Sequence, residues 1–142
     1  MTGSAFHARA GDFTPREAWN VLAADPRAVL VDVRTSAEWV FVGLPDLTPL
    51  GRRVVALEWT TFPDGANNPR FLAELEDVAP KDAQVMFLCR SGHRSVAAAD
   101  AAARAGWMRS FNVLDGFEGD LDADGHRGVS GWRAEGLPWR QS

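Results

Sequence analysis

The sequence predicts an α/β domain built on an open, mainly parallel sheet. Three observations carry the prediction. Helix signals alternate with short β-branched apolar runs along the chain, two of the helices open on the same capping-box spacing, and the whole fits within 142 residues, the size of one domain. At 46% hydrophobic and 24% charged residues, with six Trp, eight Phe and no Tyr, the composition is that of a globule able to bury a core.

The elements follow in order. Thr14-Pro15-Arg16-Glu17 places a capping Thr three residues before Glu, with Pro at the first helical position, so a helix runs to about Ala24 and stops at Asp25-Pro26. Ala28 to Val33 is a short apolar run suited to a strand covered on both faces. Thr35-Ser36-Ala37-Glu38 repeats the capping box and opens a short helix with Trp39, Val40 and Phe41 inward. Gly43, Pro45 and Pro49 make the next stretch irregular, and Arg53 to Leu57 then reads as a second buried strand. Phe62-Pro63-Asp64-Gly65 is a turn. Pro69 to Glu76 reads as a helix with Phe71, Leu72 and Leu75 on one face. Val85 to Leu88 is a strand that runs into Cys89, and the Ala-rich stretch Val96 to Ala105 is a helix ended by Gly106. Phe111 to Leu114 is the last clear strand, with a turn at Asp115-Gly116. A Gly- and Asp-rich stretch then leads to Gly131-Trp132 and Pro138-Trp139. No repeat, linker or low-complexity tract interrupts residues 1–142, which are read as one domain.

Fifteen basic against nineteen acidic residues leave a net charge of −4, which argues against binding to nucleic acid or an anionic membrane by bulk attraction. Met1 to Arg9 develops no apolar core of a targeting segment, and no run approaches the length of a membrane span, so the expected location is cytoplasmic. There is one cysteine, Cys89. A single thiol excludes an internal disulfide framework, a Cys-rich zinc site and a redox cycle resolved by a second thiol of the same chain.

In open α/β sheets ligands bind beyond the carboxyl ends of the strands. Asp32 with Arg34, Glu58 with Trp59, the segment beginning at Cys89, and Asp115 to Glu118 all follow strands and are expected on one rim. Cys89-Arg90-Ser91-Gly92-His93-Arg94-Ser95 joins a buried strand to a helix start. A tight loop ending in a helix N-terminus offers backbone N–H groups to an anion, and Gly92 can take the positive φ such a loop needs. The helix dipole and the cations Arg90 and Arg94 favour a thiolate, and no acidic residue lies in the loop. An ordinary thiol of pKa about 8.5 is only ~3% ionised at neutral pH, so lowering it by about two units yields roughly 20-fold more nucleophile. A packing cysteine has no need of a glycine-bearing loop, two arginines and a helix start immediately after it.

Cys89-Arg90-Ser91-Gly92-x-Arg94-Ser95 before an Ala-rich helix, preceded by Leu30-Val31-Asp32-Val33-Arg34 with Glu38-Trp39, resembles a single-domain rhodanese, a sulfurtransferase. Asp115-Gly116-Phe117 and the closing Gly131-Trp132 to Pro138-Trp139 extend the likeness from about Asp12 to Trp139. The resemblance implies a three-layer α/β fold with a five-stranded, mainly parallel sheet flanked by helices. It implies Cys89 as nucleophile and persulfide carrier, a small anionic sulfur donor such as thiosulfate, and an external thiol or cyanide-like acceptor. On the family pattern the amides from Arg90 through Ser91, Gly92, His93 and Arg94 to Ser95 hold the persulfide, and Arg90 and Arg94 bind or steer the donor. No cofactor, metal, nucleic acid or membrane is called for, and the oligomeric state is open. Where many rhodaneses have His-Ile-x-Gly-Ala this chain has Val42 to Leu47, and its stretch from Glu118 to Ser130 is longer than in compact members, which leaves substrate choice open.

The nearest rival is a phosphatase or arsenate reductase on the same fold. By family comparison phosphatase loops carry five residues between Cys and Arg, whereas four lie between Cys89 and Arg94; a self-resolving arsenate reductase needs another cysteine. A non-catalytic binding module is the other rival, against which stands the retained Cys89. Asp32 and Arg34 are read chiefly as a buried ion pair holding neighbouring loops, and are kept as substrate-side candidates. His93 either tunes the loop or points to solvent. His7 and His126 have no metal-like spacing, and Asp120-x-Asp122-x-Asp124-Gly125 lacks the closing Glu of a calcium loop, with Gly131 in its place. Trp59, Phe117, Trp132 and Trp139 are core aromatics by default and pocket walls by alternative.

Overall fold

A computed structural model describes residues 8–61 and 65–141. The segment through His7, with most of the stretch read as lacking a targeting signal, and Phe62, Pro63 and Asp64 of the expected turn lie outside the described residues. The elements are β1 (Gly11–Phe13), α1 (Pro15–Ala24), β2 (Val29–Asp32), α2 (Ser36–Phe41), β3 (Leu44–Pro45), β4 (Val55–Ala56), α3 (Phe71–Val78), β5 (Val85–Leu88), α4 (Arg94–Arg104), β6 (Ser110–Val113) and β7 (Trp139–Arg140). Five strands form one sheet in the order β1-β6-β5-β2-β4, every pair parallel. β3 and β7 form a separate antiparallel pair.

Strand alternation splits the core into two layers. Val85, Phe87 and Cys89 face one side, where they meet Phe71 and Leu75 of α3 and Ala98, Ala99 and Ala102 of α4. Met86 and Leu88 face the other, against Ala18 and Leu22 of α1 together with Trp132 and Leu137 of the C-terminal segment. Because β5 is buried on both faces and lies third of five strands, its carboxyl end delivers Cys89 to the middle of the rim. The alanines of α4 set that helix close to the sheet, so that Ser110 Oγ donates to the Ala99 carbonyl at 2.9 Å.

Both capping boxes form. The Thr14 hydroxyl accepts from Glu17 N while Glu17 accepts from Thr14 N, and Thr35 and Glu38 repeat the exchange at α2. Gly106 takes a positive φ just past α4.

Several details differ from the sequence reading. Val40 and Phe41 are not inward but 55% and 77% exposed, because α2 has only six residues and packs at the rim rather than on the sheet. The run from Arg53 to Leu57 yields a two-residue edge strand, paired only with β2 and with Ala56 exposed, rather than a buried strand. Leu72 is exposed while Phe71 and Leu75, four apart, share the buried face, as helical spacing requires. β1, β3 and β7 are further strands of two or three residues, too short to show a period.

Candidate active site

Cys89 is 1% exposed at the carboxyl end of β5. Its Sγ accepts from the Gly92 amide at 3.1 Å and shares a hydrogen bond with Ser95 Oγ at 3.2 Å. Gly92 has φ +103, which turns its N–H inward, and a Cβ there would lie 3.3 Å from Asp115 N. α4 begins at Arg94 without a side-chain cap, and its first amides, like those of any helix, have no intrahelical partners.

The other side of the loop is clamped by the turn after β6. Phe117 N donates to the Cys89 carbonyl at 2.8 Å, and Glu118 N and Gly119 N donate to the Arg90 carbonyl at 2.9 and 3.1 Å. With the Cys89 and Arg90 carbonyls engaged in this way, the Gly92 amide is the loop donor that reaches the sulfur. The approach is close enough to demand glycine: a Cβ on Gly116, at φ +59, would stand 2.3 Å from the Cys89 carbonyl oxygen. Asp115 itself holds φ +63 to make the turn.

The cations divide into three kinds. Arg90 is exposed at the mouth. Arg94 makes a two-pronged contact with Glu38 of α2 at 2.7 and 2.9 Å. Burial alone would raise the Glu38 carboxyl, but the Arg94 guanidinium and the Thr35 amide outweigh it and bring it down to about 2. The Glu38 contact in turn raises Arg94 against partial burial, with smaller contributions from Cys89 and Asp32. Arg94 is thus paired with Glu38, with 28% of its side chain still exposed. Arg34 is fully buried with Asp32, to which it donates from Nε at 2.9 Å and from Nη2 at 2.7 Å. It also donates to the Gly43 carbonyl at 2.6 Å and lies 4.3 Å over the Phe117 ring, tying the end of β2 to the β3 turn and to the clamp. At zero exposure the pair is sealed from a substrate arriving through solvent, and its contacts are those of a loop anchor.

Ser91 is half-buried, Ser95 buried and His93 exposed. His93 lies 3.5 Å from Asp120, both side chains well exposed, a solvated pair at the surface. Glu58 accepts from Ser36 N at 2.8 Å and so supports the start of α2. Trp132 and Phe117 are core residues, Trp59 packs edge-on to Phe71, and Trp139 is 40% exposed beside Phe117. Asn112, which the sequence reading passed over, is buried and accepts from Ser95 Oγ. Its signal was the polar alternation of Ser110 and Asn112 within an otherwise apolar strand. Two cavities, of about 540 and 280 Å³, are lined by other residues, the first by Leu44 to Thr48 with Arg52 to Val54 and the second by Trp39, Leu57, Glu58 and Asn68. Among the described residues no cluster of three His, Cys, Asp or Glu is placed to hold a metal, and no helix is long and apolar enough to cross a membrane.

Residues 11–142 match the family model described as STR4 middle domain. The crystal structure of Rv0390 from M. tuberculosis superposes with a TM-score of 0.88 at 61% identity, covering 95% of this chain and all of that one. An uncharacterized protein of Rickettsia conorii is 38% identical over 124 residues, 87% of this chain and 92% of its own length. The chloroplastic rhodanese-like domain-containing protein 4 of Arabidopsis thaliana is 28% identical over 126 residues, spanning 87% of this chain and 24% of that protein.

Proposed function

Because the chain belongs to the STR4 middle-domain family, a rhodanese-like family, we propose that it is a sulfurtransferase that carries sulfane sulfur as a persulfide on Cys89. The observation that supports this most is the cradle: a lone, buried sulfur bonded by the Gly92 amide at the foot of an uncapped helix, in a loop whose Cys89 and Arg90 carbonyls are engaged by the turn after β6. Such a cradle stabilises negative charge on a small group beyond Sγ.

The chemistry balances in two steps. Cys89 thiolate attacks the outer sulfur of thiosulfate; the Sγ–S bond forms as the donor's S–S bond breaks, and sulfite leaves with the electron pair. A thiophilic acceptor then attacks the outer sulfur, breaks the Sγ–S bond and returns the pair to Sγ as thiolate. In the loaded state the negative outer sulfur is held by amides from Arg90 to Ser95, and exposed Arg90 steers the incoming anion. A single thiol with no partner in the chain suits a reducing compartment such as the cytoplasm.

Intact-protein mass spectrometry after incubation with thiosulfate tests the proposal. The expected result is a gain of one sulfur that cyanide removes and that Cys89→Ser never acquires. Absence of the adduct on both sides of neutral pH would overturn it, and turnover of an aryl phosphate faster than sulfur transfer would assign the cradle to phosphate instead.

A further inference from the structure

A line of polar side chains runs from the sulfur to the edge of the sheet, through four elements. Cys89 Sγ meets Ser95 Oγ of α4; Ser95 Oγ donates to Asn112 Oδ1 of β6; and Asn112 stands in register beside Asp12 of β1. We propose that Asn112 and Asp12 are positioning residues that fix the direction of the Ser95 hydroxyl and so hold the resting Cys89 sulfur as a hydrogen-bond donor. The inference rests on Cys89 being the reacting atom, as read above.

A serine hydroxyl has one proton. Once it is given to Asn112 Oδ1, only lone pairs of Ser95 face the sulfur, and that contact is favourable to a thiol and unfavourable to a thiolate. For Ser95 to stabilise a thiolate its proton must turn back, and Asn112 must then rotate its amide to offer Nδ2 or leave a buried carbonyl unpaired. Asp12 opposes that rotation. Its carboxylate can only accept, and the Arg9 guanidinium at 2.7 Å, against partial burial, together with the Asn112 amide keeps it below the usual range. A turned amide would set Oδ1 against this anion. A persulfide, whose Sγ carries neither proton nor charge, gives no proton to Ser95 and sets no anion against its lone pairs. The line therefore disfavours the free thiolate, the form that attacks any electrophile, the sulfur donor included.

The rate of iodoacetamide alkylation of Cys89 as a function of pH reads the effect. Asn112→Leu removes the competing acceptor and moves the midpoint of the profile down by about one pH unit. Asp12→Asn, at a partly exposed edge position, lets the amide turn and gives a smaller shift of the same sign. In a Ser95→Ala background neither substitution shifts the midpoint further. The other charged groups near the line are common to all variants: Arg90 and His93 in the loop, Arg94 with Glu38 from α4 and α2, Asp32 with Arg34 at the end of β2, Asp115 after β6, and Arg9 and Asp100 around Asp12. Unmoved midpoints, or shifts that persist without the Ser95 hydroxyl, would overturn the proposal; the second outcome would mark a through-space charge effect. Should Asn112→Leu not fold, Asp12→Asn with and without Ser95 decides alone. Alkylation requires no sulfur donor, so a protein that takes no sulfur from thiosulfate yet shows these shifts would refute sulfur transfer and keep the positioning pair, and the converse result would do the reverse.

Discussion

Arg94 has two claims on its guanidinium, the Glu38 carboxylate and any anion entering the cradle, and both prongs at 2.7 and 2.9 Å belong to the first. Arg94→Ala leaves Glu38 half-buried without its counter-charge and lowers the unfolding free energy by about 1–2 kcal/mol. Adding Glu38→Gln recovers part of that loss; purely additive losses in urea titrations would show the two do not interact. Arg34→Met strands the Asp32 carboxylate at zero exposure and costs about 3–5 kcal/mol by the same measurement. The two arginines were not equally legible. Arg34 and Asp32 stand two residues apart at a strand end, so their pairing could be read from the chain. Arg94 and Glu38 are 56 residues apart, and only the fold brings them together.

At the scale of elements, the turn after β6 is what gives the cysteine loop its shape. Gly116→Ala drives a Cβ into the Cys89 carbonyl and is expected to cost well over about 1 kcal/mol, with a matching loss of persulfide yield. Gly125→Ala serves as its control: φ there is also positive, at +81, but no atom lies within 4 Å, so only the backbone penalty remains. Equal effects of the two substitutions on thermal unfolding and sulfur loading would show that the clamp does not shape the loop. The elements that could be read in advance were those whose signals are local: the two capping boxes, the Ala-rich α4, and the apolar strands β2 and β5. β1, β3 and β7 escaped because two or three residues carry no periodicity, and Phe41 misled because an apolar side chain on a short rim helix need not be covered.

For the molecule as a whole, pH acts most clearly through Glu38. Its folded carboxyl sits at about 2 against an ordinary 4.5, so as pH falls the unfolded chain binds the proton first. The associated stability is fully present above the ordinary value and is lost as pH drops toward 2, a contribution of about 3 kcal/mol at most, less what solvent screening removes from this partly exposed pair. Urea midpoints at several acidic pH values should fall steeply in the native sequence and less so in Glu38→Gln; parallel curves would contradict the assignment. Asp12, Asp25, Asp46 and Asp82 are also lowered and act in the same direction.

The cradle around Cys89 is made from segments far apart in the chain: the loop itself, and amides of residues 117–119 that hold its carbonyls. A growing or proteolysed chain that ends before Asp115 contains every residue of the cysteine motif and lacks the amides that shape it. Its cysteine would sit on an unbraced loop. The shape of this loop is therefore a certificate of completed folding, issued only once the last strand of the sheet and the turn beyond it have closed.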